Sequence, residues 1–307
     1  MTTLSLSRDP RTQFGRTVTE LLDEDLSTAL VWAEISGRFF TEALRRHPDR
    51  VVNVGIREQL LIGVAAGLAL EGRRVVAHSY APFLVERPYE QIKLDLGHND
   101  LGAILVSTGA SYDASREGRT HQAPEDVAAL ASLPGWTIHV PGHVDELEQL
   151  FRGALRSDDR VYIRMSEEEN HARVDGGGFT VLRRGPAGAP LVLSVGPTLA
   201  PVLEAIAGRD LTLAYLATVR PFPRAALRDA LGAGDAVALV EPYLVGTSAA
   251  EVSAALTDRP HRLLALGVRN TEIRRYGSGA EHRSAHGLDA AGIRAALEQF
   301  LPGPTAT

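Results

Sequence analysis

The sequence predicts an α/β protein of two consecutive domains, each a mostly parallel sheet with helices on both faces. Three observations carry this. Short apolar runs alternate with stretches of helical periodicity along nearly the whole chain, the pattern of parallel sheets wound with helices. Several runs are continuously apolar, as strands buried on both faces are. The alternation is interrupted once, between residues 170 and 190, by the turn-rich strings D-G-G-G-F and R-R-G-P-A-G-A-P, which mark a domain boundary. The domains are therefore placed at 15–172 and 185–307, after an N-terminal tail over 1–14.

Each element follows in order. Thr17–Leu30 carries Val18, Leu21, Leu22, Leu26 and Leu30 near helical spacing, and Leu30–Ile35 reads as a strand. Val51–Val54 is a short buried strand, turned at Gly55 into a helix from about Arg57. Arg73–His78 is a strand. Pro82 opens a helix through Tyr89, Ile92 and Leu96, with a kink expected at Pro88. Ala103–Ser107 is a strand, and Gly109–Ala123, polar and aperiodic, is a loop. Pro124-Glu125-Asp126 starts a helix. Strand Thr137–Val140, helix Val144–Leu155 and strand Val161–Met165 complete the first domain. In the second, strands at Leu191–Val195, Leu211–Tyr215, Ala236–Val240 and Leu263–Leu266 alternate with helices. Those helices are the one that follows G-P-T, then Pro223–Leu231, Ala249–Leu256 and Leu288–Phe300.

Composition narrows the function. A formal net charge of −6 argues against a nucleic-acid surface. The absence of cysteine excludes disulfides and thiol catalysis and is compatible with a reducing cytoplasm, the expected location. The string M-T-T-L-S-L-S-R-D-P lacks the apolar core of a signal peptide. No charge-free apolar run reaches the roughly 18 residues of a membrane span.

The stretch Val51–Leu70, V-V-N-V-G-I-R-E-Q-L-L-I-G-V-A-A-G-L-A-L, organises the rest. It puts Glu58 in the first turn of a helix that is apolar nearly all round and rich in small side chains. Such a helix is buried, and here it is expected to face a second subunit. Glycine inside a helix costs about 1 kcal/mol against alanine, so Gly63 and Gly67 need a packing reason. Alone, Glu58 also reads as an acid favoured by the helix dipole.

The string G-I-R-E-Q-(x)3-G-V-A-A-G-L-A resembles the pyrimidine-binding domain of transketolases and 1-deoxyxylulose-5-phosphate synthases. The resemblance implies thiamine diphosphate as cofactor, with Glu58 hydrogen-bonded to a nitrogen of its aminopyrimidine. Burial favours the protonated form of a carboxylate, which suits sharing a proton with the ring. In S-Y-A-P-F-L-V-E-R-P-Y-E-Q-I, the resemblance implies that Phe83 stacks on the pyrimidine, with Tyr80 and Ile56 in the same pocket. Glu34, in W-A-E-I-S, stands where transketolases have an Asp near the thiazolium, a sensible partner for that cation; a solvated strand-end acid is an equal reading. S-R-E-G-R-T-H-Q at 115–122 matches the family's D-G-x-T-H-Q, implying that His121 reaches the substrate and shuttles a proton or steadies an alkoxide. Glu117 departs from the family's Asp, and its extra methylene pushes the carboxylate about 1.5 Å further into the pocket, as for a different or smaller donor. His78 and Arg87 are further substrate candidates; each also reads as structural, a sheet-end histidine and a surface charge.

In the second half, L-V-L-S-V-G-P, V-R-P-F-P, A-L-V-E-P-Y and G-L-D-A-A-G-I resemble the transketolase C-terminal domain in the same order. The likeness spans roughly 28–300. The G-D-G…N magnesium motif of the family's diphosphate-binding domain does not occur, and no metal cluster is expected within this chain. It therefore resembles the C-terminal half of a split transketolase. That implies a diphosphate-binding partner subunit holding Mg2+ in an α2β2 assembly, self-dimerisation, and small sugar or aldehyde substrates. The family also keeps an Arg near the Val161–Met165 strand for a sugar phosphate. Arg164 remains, but S-E-E-E-N comes after it, and three glutamates would repel a dianion; the expectation is an unphosphorylated acceptor, or a phosphate held elsewhere, as by the partner. The rival readings are the beta subunit of a 2-oxo acid dehydrogenase and a non-catalytic dimerisation scaffold.

Overall fold

The computed structural model describes residues 9–301. The first sheet has seven strands: β1 (Thr28–Trp32), β2 (Val51–Asn53), β3 (Arg74–Tyr80), β4 (Ile104–Thr108), β5 (Trp136–His139), β6 (Arg160–Arg164) and β10 (Thr218–Arg220). Their order is β10-β5-β6-β4-β3-β1-β2. Pairing is parallel throughout except for β10, which runs antiparallel to β5. The second sheet holds β7 (Phe179–Arg183), β8 (Leu191–Val195), β9 (Thr212–Leu216), β11 (Ala236–Leu244) and β12 (Arg262–Val268), in the order β12-β11-β8-β9-β7. It is parallel apart from the edge strand β7.

Side chains alternate across each strand, so each sheet needs helices on both faces. In the first, Leu30, Val76, Ile104 and Ile163 point toward α1 (Pro10–Glu24), α2 (Thr41–Arg46) and α6 (Val144–Ala154), meeting Phe14, Val18, Ala43, Leu147 and Phe151. Val31, Val75, Ala77 and Leu105 point the other way. They meet α3 (Glu58–Leu70), the stretch around α4 (Tyr89–Gln91) and α5 (Asp126–Ala131) through Leu61, Ile62, Ile92, Leu96 and Val127. In the second sheet α7 (Leu199–Ala205) and α11 (Ala290–Phe300) cover one face. α8 (Arg224–Leu231) and α9 (Ala249–Ala255) cover the other. α10 (Gly279–His286) lies beside β12.

Several expectations shift. The first helix starts at Pro10, not Thr17, because Asp9 caps it and Pro10 sits at its first position, where the missing N–H costs nothing. Residues 10–14, expected in the tail, thus form its first turns; residues 1–8 lie outside the described part. Strands β7 and β10 and helices α2 and α10 were not expected. β7 lies inside the turn-rich boundary, and β10 crosses from the second half to close the first sheet. The Pro88 kink takes a definite form. Pro82–Glu86 and Ile92–His98 are π-helical turns on either side of α4, and the Arg87 N–H donates back five residues to the Pro82 carbonyl. Proline interrupts the ordinary ladder, and the wider turn re-pairs it.

Candidate active site

β3 ends at a loop cluster on the carboxyl edge of the first sheet, where open α/β sheets bind ligands. Its last residues face opposite ways. Ser79 turns toward α3, and its hydroxyl donates to Glu58 Oε1 at 3.3 Å. Glu58 opens α3 without a side-chain cap and is 1% exposed. Its Oε2 accepts from Arg87 Nη1 at 2.5 Å. The same guanidinium lies over Phe83, 4.1 Å from the ring centroid. The first π-helical turn sets this up, carrying Phe83 on one side and Arg87 at its close.

Three rings complete the cluster. His121 stands edge-on to Phe83 at 4.9 Å and to Tyr80 at 5.3 Å between centroids, and Tyr80 is edge-on to Phe83 at 6.2 Å. Tyr80 is held against Gly109, whose φ is +75° and where a Cβ would come within 2.5 Å of the tyrosine ring. Only glycine meets both demands. His121 closes a short 3-10 turn, Arg119–His121, after Gly118 at φ +84°. The structure thus gathers Glu58, Tyr80, Phe83, Arg87 and His121 from four separate segments.

The other candidates lie elsewhere. Glu34 is exposed in a left-handed turn (φ 62°), and its carboxylate accepts from the Asn53 side chain at 3.0 Å. Ile56 is 70% exposed. Glu117 is exposed, one residue before Gly118. His78 is removed from the substrate candidates. It faces the α1 side of β3, wholly buried against Phe14 and Phe40. Its Nδ1 meets the Val106 carbonyl at 2.7 Å and its Nε2 meets Ser36 Oγ at 2.9 Å. Both nitrogens are spent, and burial pushes the imidazole down to about 4. Ser79 and the adjacent His78 face opposite ways, and the burial of His78 with both nitrogens engaged takes it out of the pocket.

Arg164 is likewise withdrawn as a phosphate ligand. It is fully buried, paired with Asp126 at 2.8 Å and bonded to Ser111 Oγ at 2.6 Å. The three glutamates after it have partners away from the Glu58 cluster: Arg11 for Glu167, Arg283 for Glu168, and the Val144 N–H and His143 for Glu169.

Two contributors escaped the sequence reading. Ser79 was legible only as part of a string. Tyr276, 67% exposed, comes from the second domain, and its ring is the nearest neighbour of a Cβ built on Gly118; Ser115 Oγ donates to the Gly277 carbonyl at 2.9 Å beside it. No local pattern announces a contact across 160 residues.

A flat, N–H-bearing group already sits between the Glu58 carboxylate and the Phe83 ring. An aminopyrimidine is flat too, and one of its ring nitrogens could share a proton with the Glu58 carboxyl from the same side, so these residues fit one. Among the described residues no group of three or more histidine, aspartate or glutamate side chains is placed to hold a metal ion. No described helix is long and apolar enough to cross a membrane.

Residues 7–171 match the family model for the transketolase pyrimidine binding domain. The chain is 48% identical, over 95% of both lengths, to an uncharacterized 33.6 kDa protein in the fasciation locus of Rhodococcoides fascians. It is 31% identical to one of the subunits of the apulose-4-phosphate transketolase of Actinobacillus succinogenes, covering 81% of this chain and 84% of that one. Among solved structures it superposes on a split-gene transketolase described as an inactive beta4 tetramer, with a TM-score of 0.81 and 25% identity over 95% of this chain and 98% of that one.

Proposed function

The chain belongs to the transketolase pyrimidine-binding-domain family, and on that premise we propose that it is the pyrimidine-binding subunit of a two-component, thiamine-diphosphate-dependent transketolase. The observation that carries this is Glu58: a carboxylate 1% exposed at a helix start, with a flat group between it and an aromatic face. These residues would hold the pyrimidine end of thiamine diphosphate, which when bound would supply a carbon nucleophile for transfer of a two-carbon ketol unit from a ketose donor to an aldehyde acceptor. Glu58 would hold a proton against a ring nitrogen, with the Ser79 hydroxyl fixing its other oxygen. Phe83 and Tyr80 would exclude water from the ring, and Glu34 and Ile56 would meet the cofactor at the partner's side. His121, wedged between the two rings, would exchange a proton with the substrate oxygen. Glu117 would meet the donor's hydroxyls at the rim.

Magnesium and the diphosphate would be held mainly by a partner with a diphosphate-binding domain, in an α2β2 assembly. Two features support an outside partner. A Cβ on Gly67 would meet nothing within 4 Å, and one on Gly63 only Asp95 Oδ2 at 3.8 Å, so packing inside the chain does not require either glycine. Ile56 and Leu60 of the same segment stand 70% and 45% exposed, as an edge covered by another chain would. The likeness to the apulose-4-phosphate transketolase component and to the split-gene structure supports the same reading.

Mixing the chain with a cognate diphosphate-domain subunit, thiamine diphosphate and Mg2+ should give ketol transfer that neither chain gives alone. Glu58→Ala should lower that turnover by about 10²–10⁴-fold while leaving the circular dichroism spectrum unchanged. Turnover by the single chain, or full activity of the variant, would defeat the proposal.

A further inference from the structure

Arg87 makes both contacts that the reading above assigns to the cofactor's ring. Its Nη1 donates to Glu58 Oε2 at 2.5 Å, and its guanidinium lies 4.1 Å from the Phe83 centroid. Its side chain is 37% exposed, while the carboxylate it holds is 1% exposed. The main chain beneath is fixed. The Arg87 N–H is tied to the Pro82 carbonyl, its own carbonyl accepts from Gln59 Nε2 at 3.3 Å, and Pro88 follows. The side chain has a long stem and one charged head. It can therefore leave by rotating about its own bonds, with no change in the helix.

A buried carboxylate without a partner is costly, and a cation on an aromatic face is favourable. In the lone chain Arg87 satisfies both groups at once. A pyrimidine arriving there makes the same two contacts and so competes for one space. We propose that Arg87 is a gate on the cofactor site: it stands in the pyrimidine's place in the unloaded chain and swings out when the ring enters. This rests on Glu58 and Phe83 being the pyrimidine contacts. The apparent dissociation constant is then the intrinsic one divided by the open fraction, so a gate closed nine-tenths of the time weakens binding about tenfold. The gate keeps the ring site shut until a partner that grips the diphosphate adds enough affinity to open it.

The test uses the full-length chain and 4-amino-5-hydroxymethyl-2-methylpyrimidine, the cofactor's ring without its diphosphate, titrated by ligand-observed NMR. Arg87→Ala and Arg87→Met, the latter keeping the apolar stem, should each bind it about tenfold tighter than the unaltered chain, with melting curves confirming that both fold. Adding Glu58→Gln or Phe83→Ala to Arg87→Ala should weaken binding again. If the two Arg87 variants bind no tighter, or if no variant binds at all, the gate is refuted. If they bind tighter but Glu58→Gln and Phe83→Ala change nothing, the ring sits elsewhere; the assignment of Glu58 and Phe83 fails and the gate fails with it. Equal binding by the Arg87 variants with the expected losses in the other two sinks the gate alone.

Discussion

His78 offers a test of the fold's account of the site, because its burial has a measurable consequence in acid. The imidazole is pressed down to about 4 by burial, against an ordinary 6.5, although the Val106 carbonyl pulls it back up and Arg11 adds a smaller downward push. A group lowered in the folded state takes up its proton first in the unfolded chain. Stability from neutral His78 is therefore complete above about pH 6.5 and is lost as the pH falls toward 4. With one pKa unit worth about 1.36 kcal/mol, the loss from pH 8 to pH 5 comes to about 2 kcal/mol. Urea unfolding of the unaltered chain and of His78→Gln at pH 8, 6.5 and 5 isolates this term, since the other titrating groups are common to both. The stability gap between them should shrink by about 2 kcal/mol on going to pH 5. A gap that stays constant would mean that His78 is hydrated and free to face a substrate, and the assignment of the two faces of β3 would be wrong.

Two further predictions concern the surface and the rim. Leu60→Asp, at a 45% exposed position on α3, should shift the chain to a smaller species in size-exclusion chromatography while moving its melting temperature by less than about 2 °C, as substitutions away from the core usually do. Glu117→Asp, which shortens an exposed side chain beside Gly118, should lower KM for larger ketose donors several-fold in steady-state assays of the assembled enzyme, leaving the melting temperature unchanged.

What the sequence made legible follows the reach of its signals. Periodicity and turn residues act over a few positions, and they place the helix that Glu58 opens, the strand before it, the Pro88 kink and the alternation in both halves. The short motifs likewise point to Phe83, Tyr80 and His121, which the fold gathers round Glu58. What stayed hidden is non-local. β10 is three residues long and belongs to the first sheet only through its antiparallel pairing with β5. The Tyr276 contact on Gly118 joins two domains. His78 was misplaced for a different reason: its neighbours in the string are site residues, but a strand sends successive side chains to opposite faces. The first helix was set too late because its apolar stripe was counted onward into Leu26 and Leu30. Leu26 is exposed and Leu30 belongs to β1, and the cap at Asp9 and Pro10 was the stronger mark.

The acidic run at 167–169 shows how charge counted along a chain misleads about charge in a site. Three glutamates in a row look like a barrier to a phosphorylated substrate. In the fold each one is engaged: Glu167 with Arg11 at 3.2 Å, Glu168 with Arg283, and Glu169 with the Val144 N–H at 3.0 Å and His143. They tie α1, α10 and α6 to the end of β6. An exposed pair such as Arg11–Glu167 adds only about 0–1 kcal/mol of stability, but a paired charge projects little field, and what remains is screened within about 8–10 Å. The rim where Tyr276 meets Gly118 carries no such run: Arg116 stands beside Glu117 on one loop, and Arg274 and Arg275 follow Glu272 on the other, all exposed. The expectation of an unphosphorylated acceptor thus loses the charge argument it stood on. A phosphate arriving at this rim meets arginines and glutamates together rather than an acidic wall.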